Sequence, residues 1–221
     1  MSLLRRQNTK YNLVIFDFDG TIADSSAGIL DAHRYTMKKY GISEWTDEHL
    51  RELIGGNLLD IYMNSLGLDI EMAREAVRVY RDRYAKVGIK MATLYPKCVD
   101  VLQKLKDNGY KVAIATLKAD SFVKEMVVDL SISEYFDCIY GMTDRDDLSK
   151  ADLIRMCIKN TNVNAATTLF VGDSKGDLVA ANEVETGFVG VTYGFGFRKE
   201  IANNIKAIHN IIELIDVVGI K

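Results

Sequence analysis

The sequence predicts an α/β fold: a parallel sheet with helices on both faces, interrupted once by an inserted helical bundle. Short apolar, β-branched runs alternate with stretches of helical apolar spacing, the alternation breaks between about Asp24 and Thr93, and polar residues stand just beyond the strand ends. The first run, Leu13-Val14-Ile15-Phe16, stops at Asp17-Phe18-Asp19-Gly20-Thr21, a short buried strand entering a glycine turn. Val112 to Thr116, Cys138 to Gly141, Thr168 to Asp173 and Gly187 to Val191 are further strands. Between them, Val101, Leu102 and Leu105, then Phe122, Val123, Met126 and Leu130, then Leu153, Ile154 and Cys157, then Leu178 to Asn182 mark helices. A sheet whose strands are joined by helices is parallel and covered on both faces.

Residues 24–93 contain no convincing strand. Ala73, Ala76, Val77, Tyr80, Tyr84 and Val87 recur at helical intervals, so about four helices are expected to form a small bundle. This divides the chain into a core domain, 1–23 with 94–221, and an inserted domain, 24–93. Leu53-Ile54-Gly55-Gly56-Asn57 is a loop between two helices, either a plain connection or an element that faces what the core binds. Pro96 stands where the insertion rejoins the core, ahead of a helix from Val99 to Asp107.

Composition excludes several classes. The 221 residues are 48% apolar and 27% charged, with 28 Lys+Arg against 31 Asp+Glu and a net charge of -3, so neither disorder nor a nucleic-acid partner is expected. No apolar run reaches the roughly 18 residues of a membrane span, and Arg5 to Lys10 is polar, so neither anchor nor signal peptide is expected. Cys98, Cys138 and Cys157 lack metal-site spacing and read as buried thiols of a cytoplasmic protein. His33, His49 and His209 are scattered and carry no assigned chemistry. The oligomeric state is not legible.

In an open parallel sheet, ligands bind outside the carboxyl ends of the strands. There, at i and i+2 of an extended chain, Asp17 and Asp19 point the same way while Phe18 points into the core. Gly172-Asp173-Ser174-Lys175-Gly176-Asp177 follows another apolar run, and its aspartates, about one helical turn apart, either face a metal or cap the next helix. Crowded carboxylates need a cation, and hard oxygen donors without His or Cys suit Mg²⁺. Thr116 and Lys150 are unremarkable when taken alone.

Together, and in this order, Asp17-Phe18-Asp19-Gly20-Thr21, Ala115-Thr116-Leu117-Lys118, Lys150 and the Gly172 to Asp177 motif resemble the haloacid dehalogenase superfamily of phosphohydrolases. The insertion and Gly190-Val191-Thr192-Tyr193-Gly194 are similar to its phosphoglycolate phosphatase and β-phosphoglucomutase branch, over about Asn12 to Gly196. The resemblance implies a Rossmann-like core with a helical cap, and a Mg²⁺-dependent phosphatase acting on a small phosphorylated metabolite. It also implies roles. Asp17 is the nucleophile and Asp19 the acid and base. Thr116 and the N–H of Leu117 bind the phosphoryl oxygens, with Lys150 neutralising charge and Lys118 its competitor. Asp17, Asp19, Asp173 and Asp177 form the metal site. Arg51 and Asn57, on the insertion, are candidates for substrate selection. A phosphomutase or phosphotransferase is the alternative within enzymes, and an aspartate-phosphorylated signalling module the alternative outside them.

Overall fold

The computed structural model describes residues 11–42, 45–143, 145, 147–197 and 205–220. The polar stretch Arg5 to Lys10 lies outside the described residues. Strand β1 (Leu13–Phe16) is fully buried, and its side chains alternate between two apolar layers. Val14 and Phe16 pack into one layer, Leu13 and Ile15 into the other. Burial on both faces, at roughly 2 kcal/mol per large apolar side chain, is what makes this run a central strand.

Strands β4 (Lys111–Ala119), β5 (Cys138–Met142), β6 (Thr168–Gly172), β7 (Gly187–Val191) and the short β8 (Ala207–Ile208) complete a six-stranded sheet of order β5-β4-β1-β6-β7-β8. Every pairing in it is parallel. On one face lie α7 (Lys150–Thr161) and α8 (Lys175–Val184), whose Leu153, Ile154, Cys157, Ala180 and Ala181 meet Leu13, Ile15 and Phe170. The other face is covered by α5 (Cys98–Asp107), α6 (Asp120–Asp129) and α9 (Leu214–Val218). The α/β reading of the sequence therefore holds, with parallel strands and two covered faces. β8 and α9 are additions that it did not contain.

The segment between the first two sheet strands is helical, with one difference at its ends. Two-residue strands β2 (Ala23–Asp24) and β3 (Thr93–Leu94) pair antiparallel, so the chain leaves and re-enters by a small ribbon. Between them lie α1 (Ser26–Lys39), α2 (Asp47–Glu52), the single turn α3 (Leu58–Asp60) running into a π-helix (Ile61–Ser65), and α4 (Ile70–Lys86). The α1 and α4 helices are joined by the Arg83 guanidinium, which donates to both oxygens of Asp31 at 2.7 and 3.1 Å. Pro96 follows β3, and α5 begins two residues later.

His33, on α1, is 1% exposed, with Nδ1 3.2 Å from the Tyr62 hydroxyl and its ring centroid 4.7 Å from that of Tyr80. Burial disfavours the imidazolium and pushes its pKa down to about 4. The unfolded chain thus binds a proton that the folded chain refuses. Stability from this group is complete above about pH 6.5 and falls toward pH 4, by at most about 1.4 kcal/mol per pH unit. The melting temperature of His33→Gln is expected to fall less over that range than that of the wild type. Subtracting the two curves cancels the carboxylates common to both, and parallel curves would contradict the assignment.

Candidate active site

Because the strands are parallel, their carboxyl ends lie along one edge, and three of them deliver the polar residues. Asp17 follows β1, its N–H donating to Val171 O at 2.9 Å in the neighbouring β6. Asp173 follows β6 directly. Thr116 lies within β4, which runs on to Ala119 rather than ending there, and the pairing with β5 shifts register between Ala115 and Ala119. That irregularity opens the strand at the site. Gly20, with φ of +78°, turns the chain away after Asp19.

Two helix starts supply the rest. Ser149 caps α7 in a capping box with Asp152, which sets Lys150 at the first helical position. Ser174, not Asp173, caps α8, and its box partner is Asp177. Asp177 therefore belongs to the helix cap and also reaches the cluster of buried charges. Its Oδ2 accepts from Ser174 N at 3.0 Å and Ser174 Oγ at 2.8 Å, while its Oδ1 lies 2.9 Å from Lys150 Nζ. A Cβ on Gly172 would lie 2.6 Å from the Asp177 side chain, so the glycine makes room for it.

Lys150 Nζ also lies 2.7 Å from Asp17 Oδ1. Asp17, Asp173, Asp177 and Thr116 are all buried, and Lys150 retains 10% side-chain exposure. Burial pushes the Asp17 carboxyl up to about 6; Lys150 pulls against this, and the Asp177 and Asp19 carboxylates add to it. Asp173 is pushed further, to about 8, by burial and then by Asp177 and Asp17, against the hydrogen bonds from the Phe195 and Gly196 amides. Burial works against the Lys150 ammonium, but Asp17 and Asp177 more than offset it and hold its pKa above the usual lysine range.

The two lysines that the sequence could not rank have separate partners. Lys118 Nζ lies 2.9 and 3.2 Å from the two oxygens of Asp19, which also accepts a hydrogen bond from Ser25 Oγ. The Tyr84 ring of α4 covers the ammonium, with its centroid at 4.3 Å. Asp17 and Asp19 thus share a cleft yet answer to different cations.

Asp17, Asp173 and Asp177 can each offer a carboxylate oxygen within 4.8 Å of the others, a set able to hold a metal ion. The donor chemistry fits a hard divalent cation. So do the buried Oδ1 atoms of Asp17 and Asp177, which have no well-angled hydrogen bond and meet only the charge of Lys150. The Asp19 side chain lies outside this set.

Above the carboxylates, the cleft encloses about 700 Å³, its open mouth included. Thr116, Leu117 and Lys118 line its floor, and Tyr80, Arg81 and Tyr84 of α4 line its wall together with Leu53 to Leu58. The double-glycine loop therefore faces the site and is not a plain connection. Asn57 lines the cleft, but its side chain caps α3, accepting from Leu59 N at 2.9 Å. Arg51, read as a candidate for substrate selection, is exposed on α2 and is not among the cleft residues. Arg81 is the insertion arginine found there; in the sequence nothing distinguished it from the other charged positions of α4. No helix among the described residues is long and apolar enough to cross a membrane.

Residues 14–191 match the family model of haloacid dehalogenase-like hydrolases. The chain is 30% identical over 199 residues to a 5'-nucleotidase of Pseudomonas aeruginosa, with 90% of each protein covered. It is 27% identical to a phosphoglycolate phosphatase of Vibrio parahaemolyticus, covering 95% of this chain and 96% of that one. Among solved structures, one described as a predicted phosphatase from Clostridium acetobutylicum superposes with a TM-score of 0.89 at 30% identity, covering 94% of this chain and 98% of the other. The chain belongs to the haloacid dehalogenase-like hydrolases, on the branch that includes phosphoglycolate phosphatases, and is a phosphatase of that family.

Proposed function

We propose that the protein is a Mg²⁺-dependent phosphatase that hydrolyses a small phosphate monoester of the phosphoglycolate type through an aspartyl-phosphate on Asp17. The observation that carries this reading is the position of Asp17: buried at the end of the central strand, 2.7 Å from Lys150, inside a three-carboxylate cluster. In the first step an Asp17 oxygen forms a bond to phosphorus and the bond to the ester oxygen breaks. Asp19 gives its proton to the departing alkoxide. In the second, Asp19 takes a proton from water, the water oxygen bonds to the same phosphorus, and the Asp17 carboxylate leaves. Splitting the reaction makes each step easier, and a positioned acid contributes typically about 10² to 10⁴ in rate.

Thr116 Oγ1 and the N–H of Leu117 bind phosphoryl oxygens. Lys150 lowers the repulsion between one anion and another. The cation would be held by the carboxylates of Asp17 and Asp173 and the main-chain carbonyl of Asp19, with Asp177 supporting it through water. When bound, it supplies charge neutralisation at the phosphoryl group. Residues 1–23 and 94–221 act as the core and 24–93 as a cap, with the short β2–β3 ribbon as the hinge; the arrangement with Tyr84 and Arg81 lining the cleft is the closed one, which excludes water. The three free thiols suit a reducing cytoplasm. Cys98 and Cys157 are buried, whereas Cys138 is only half-buried, and the Cys157 thiol donates to Ile114 O at 3.3 Å.

A nucleoside monophosphate is the second reading for the substrate. It is favoured by the 5'-nucleotidase relative and by the part-exposed Phe122 ring on the cleft, against which a base could stack. Phosphate release from phosphoglycolate, sugar phosphates, pyrophosphate and nucleoside 5'-monophosphates, with and without Mg²⁺, tests both. Metal-dependent release is expected, fastest with the small carboxylated ester. A preference for nucleotides would select the second reading, and no release from any ester would contradict both.

A further inference from the structure

The loop after β7 reaches back across the sheet edge to the Asp173 side chain. The Phe195 N–H donates to Asp173 Oδ2 at 2.6 Å and the Gly196 N–H donates to the same oxygen at 3.2 Å. An ionised carboxylate oxygen has about two lone-pair directions, so two amides fill Oδ2. Backbone also closes over it. A Cβ added at Gly20 would lie 2.2 Å from Oδ2, and one added at Gly194 would lie 2.5 Å from Oδ2 and 2.3 Å from Gly20 O. Nothing larger than hydrogen fits at either position without moving Asp173 or the turn beside it.

The loop is itself anchored. The Tyr193 hydroxyl donates to Thr21 O at 2.9 Å, and its ring lies 4.6 Å from that of Tyr95. Tyr95 in turn donates its N–H to Ile22 O at 3.1 Å. The amides that meet Asp173 are therefore fixed to the turn that follows Asp17 and Asp19.

We propose that residues 194–196 are a backbone clamp for the metal site: they occupy Asp173 Oδ2, leave Oδ1 as the one oxygen this residue can give a cation, and make Gly194 a positioning residue for metal affinity. The inference rests on the reading of Asp173 as a metal ligand. Groups that orient a ligand from behind typically change affinity by about 10- to 100-fold when altered. Gly194→Ala should pay a comparable penalty, because its methyl must displace either Gly20 or Asp173. Gly176 supplies the control. It stands three residues from Asp173 in the chain, but a Cβ there finds its nearest neighbour at 3.6 Å.

Mn²⁺ binding to the full-length protein, followed by electron paramagnetic resonance of the free ion, tests this without reference to turnover. The wild type and Gly176→Ala are expected to bind alike, Asp173→Asn to lose the site, and Gly194→Ala to bind about 10- to 100-fold more weakly. Wild-type affinity in Gly194→Ala would overturn the clamp. Undiminished binding in Asp173→Asn would instead remove the ligand reading beneath it. Should Gly194→Ala fail to fold, Tyr193→Phe decides instead: it removes only the hydroxyl that ties the loop to Thr21 O and is expected to weaken Mn²⁺ binding in the same direction, so wild-type affinity in that variant would overturn the proposal.

Discussion

Asp17→Asn is expected to lower kcat on the best ester by about 10⁴-fold or more, the scale on which loss of a nucleophile is felt in enzymes that form covalent intermediates. The amide has nearly the shape of the carboxylate, so the strand end and cleft remain, and Lys150 keeps its second partner Asp177 at 2.9 Å. What disappears is the negative oxygen that attacks phosphorus. The same substitution removes a carboxylate whose pKa is raised first by burial and then by its crowding with Asp177 and Asp19, against the pull of Lys150. The melting temperature without metal should therefore hold or rise while the rate collapses, as at sites where function is kept at the expense of stability. Activity within tenfold of the wild type would contradict the role given to Asp17.

Lys150→Met carries the second large effect. The ammonium is shared by Asp17 and Asp177, both buried, and removing one partner of a buried ion pair typically costs about 3–5 kcal/mol because the remaining charge is left uncompensated. Loss of a cation that faces the phosphoryl group should add a fall in kcat of about 10² to 10³. The variant is expected to melt well below the wild type without metal and to regain part of the difference with Mg²⁺, since a cation relieves the same crowding. Lys118→Met separates the two lysines. Its ammonium faces Asp19, so the loss of kcat should be largest with esters whose alcohols are poor leaving groups and small with nitrophenyl phosphate. Equal losses with both esters, or a greater effect on nitrophenyl phosphate than that of Lys150→Met, would reverse the assignment.

The parts of this molecule that were legible in sequence are those set by local pattern. Leu13 to Phe16 could be read as a buried strand because four apolar residues in a row need cover on both faces, and Asp17 could be placed at its end because the pattern stops there. Sheet order was not legible, since the pairing of β1 with both β4 and β6 depends on segments far along the chain. The site divides in the same way. Aspartates and glycines at close spacing announce themselves, but the separate pairing of Lys150 with Asp17 and of Lys118 with Asp19 is a tertiary fact. Arg51 was proposed because it neighbours the glycine loop, whereas the helix turns it to the exterior and Arg81, from another helix, reaches the cleft. The amides of Phe195 and Gly196 carry no side-chain signature, so their hold on Asp173 required coordinates.

The central claim is that phosphate passes through Asp17. Its most direct test is to quench the enzyme during turnover of its best ester, reduce with borohydride, and map the peptides by mass spectrometry. An acyl phosphate is reduced to the alcohol where a free carboxylate is not. Conversion of Asp17 to homoserine, dependent on substrate and Mg²⁺ and without conversion of Asp19 or Asp173, is the expected result. Unmodified Asp17 in an enzyme trapped while turning over, or homoserine at another aspartate instead, would contradict the account.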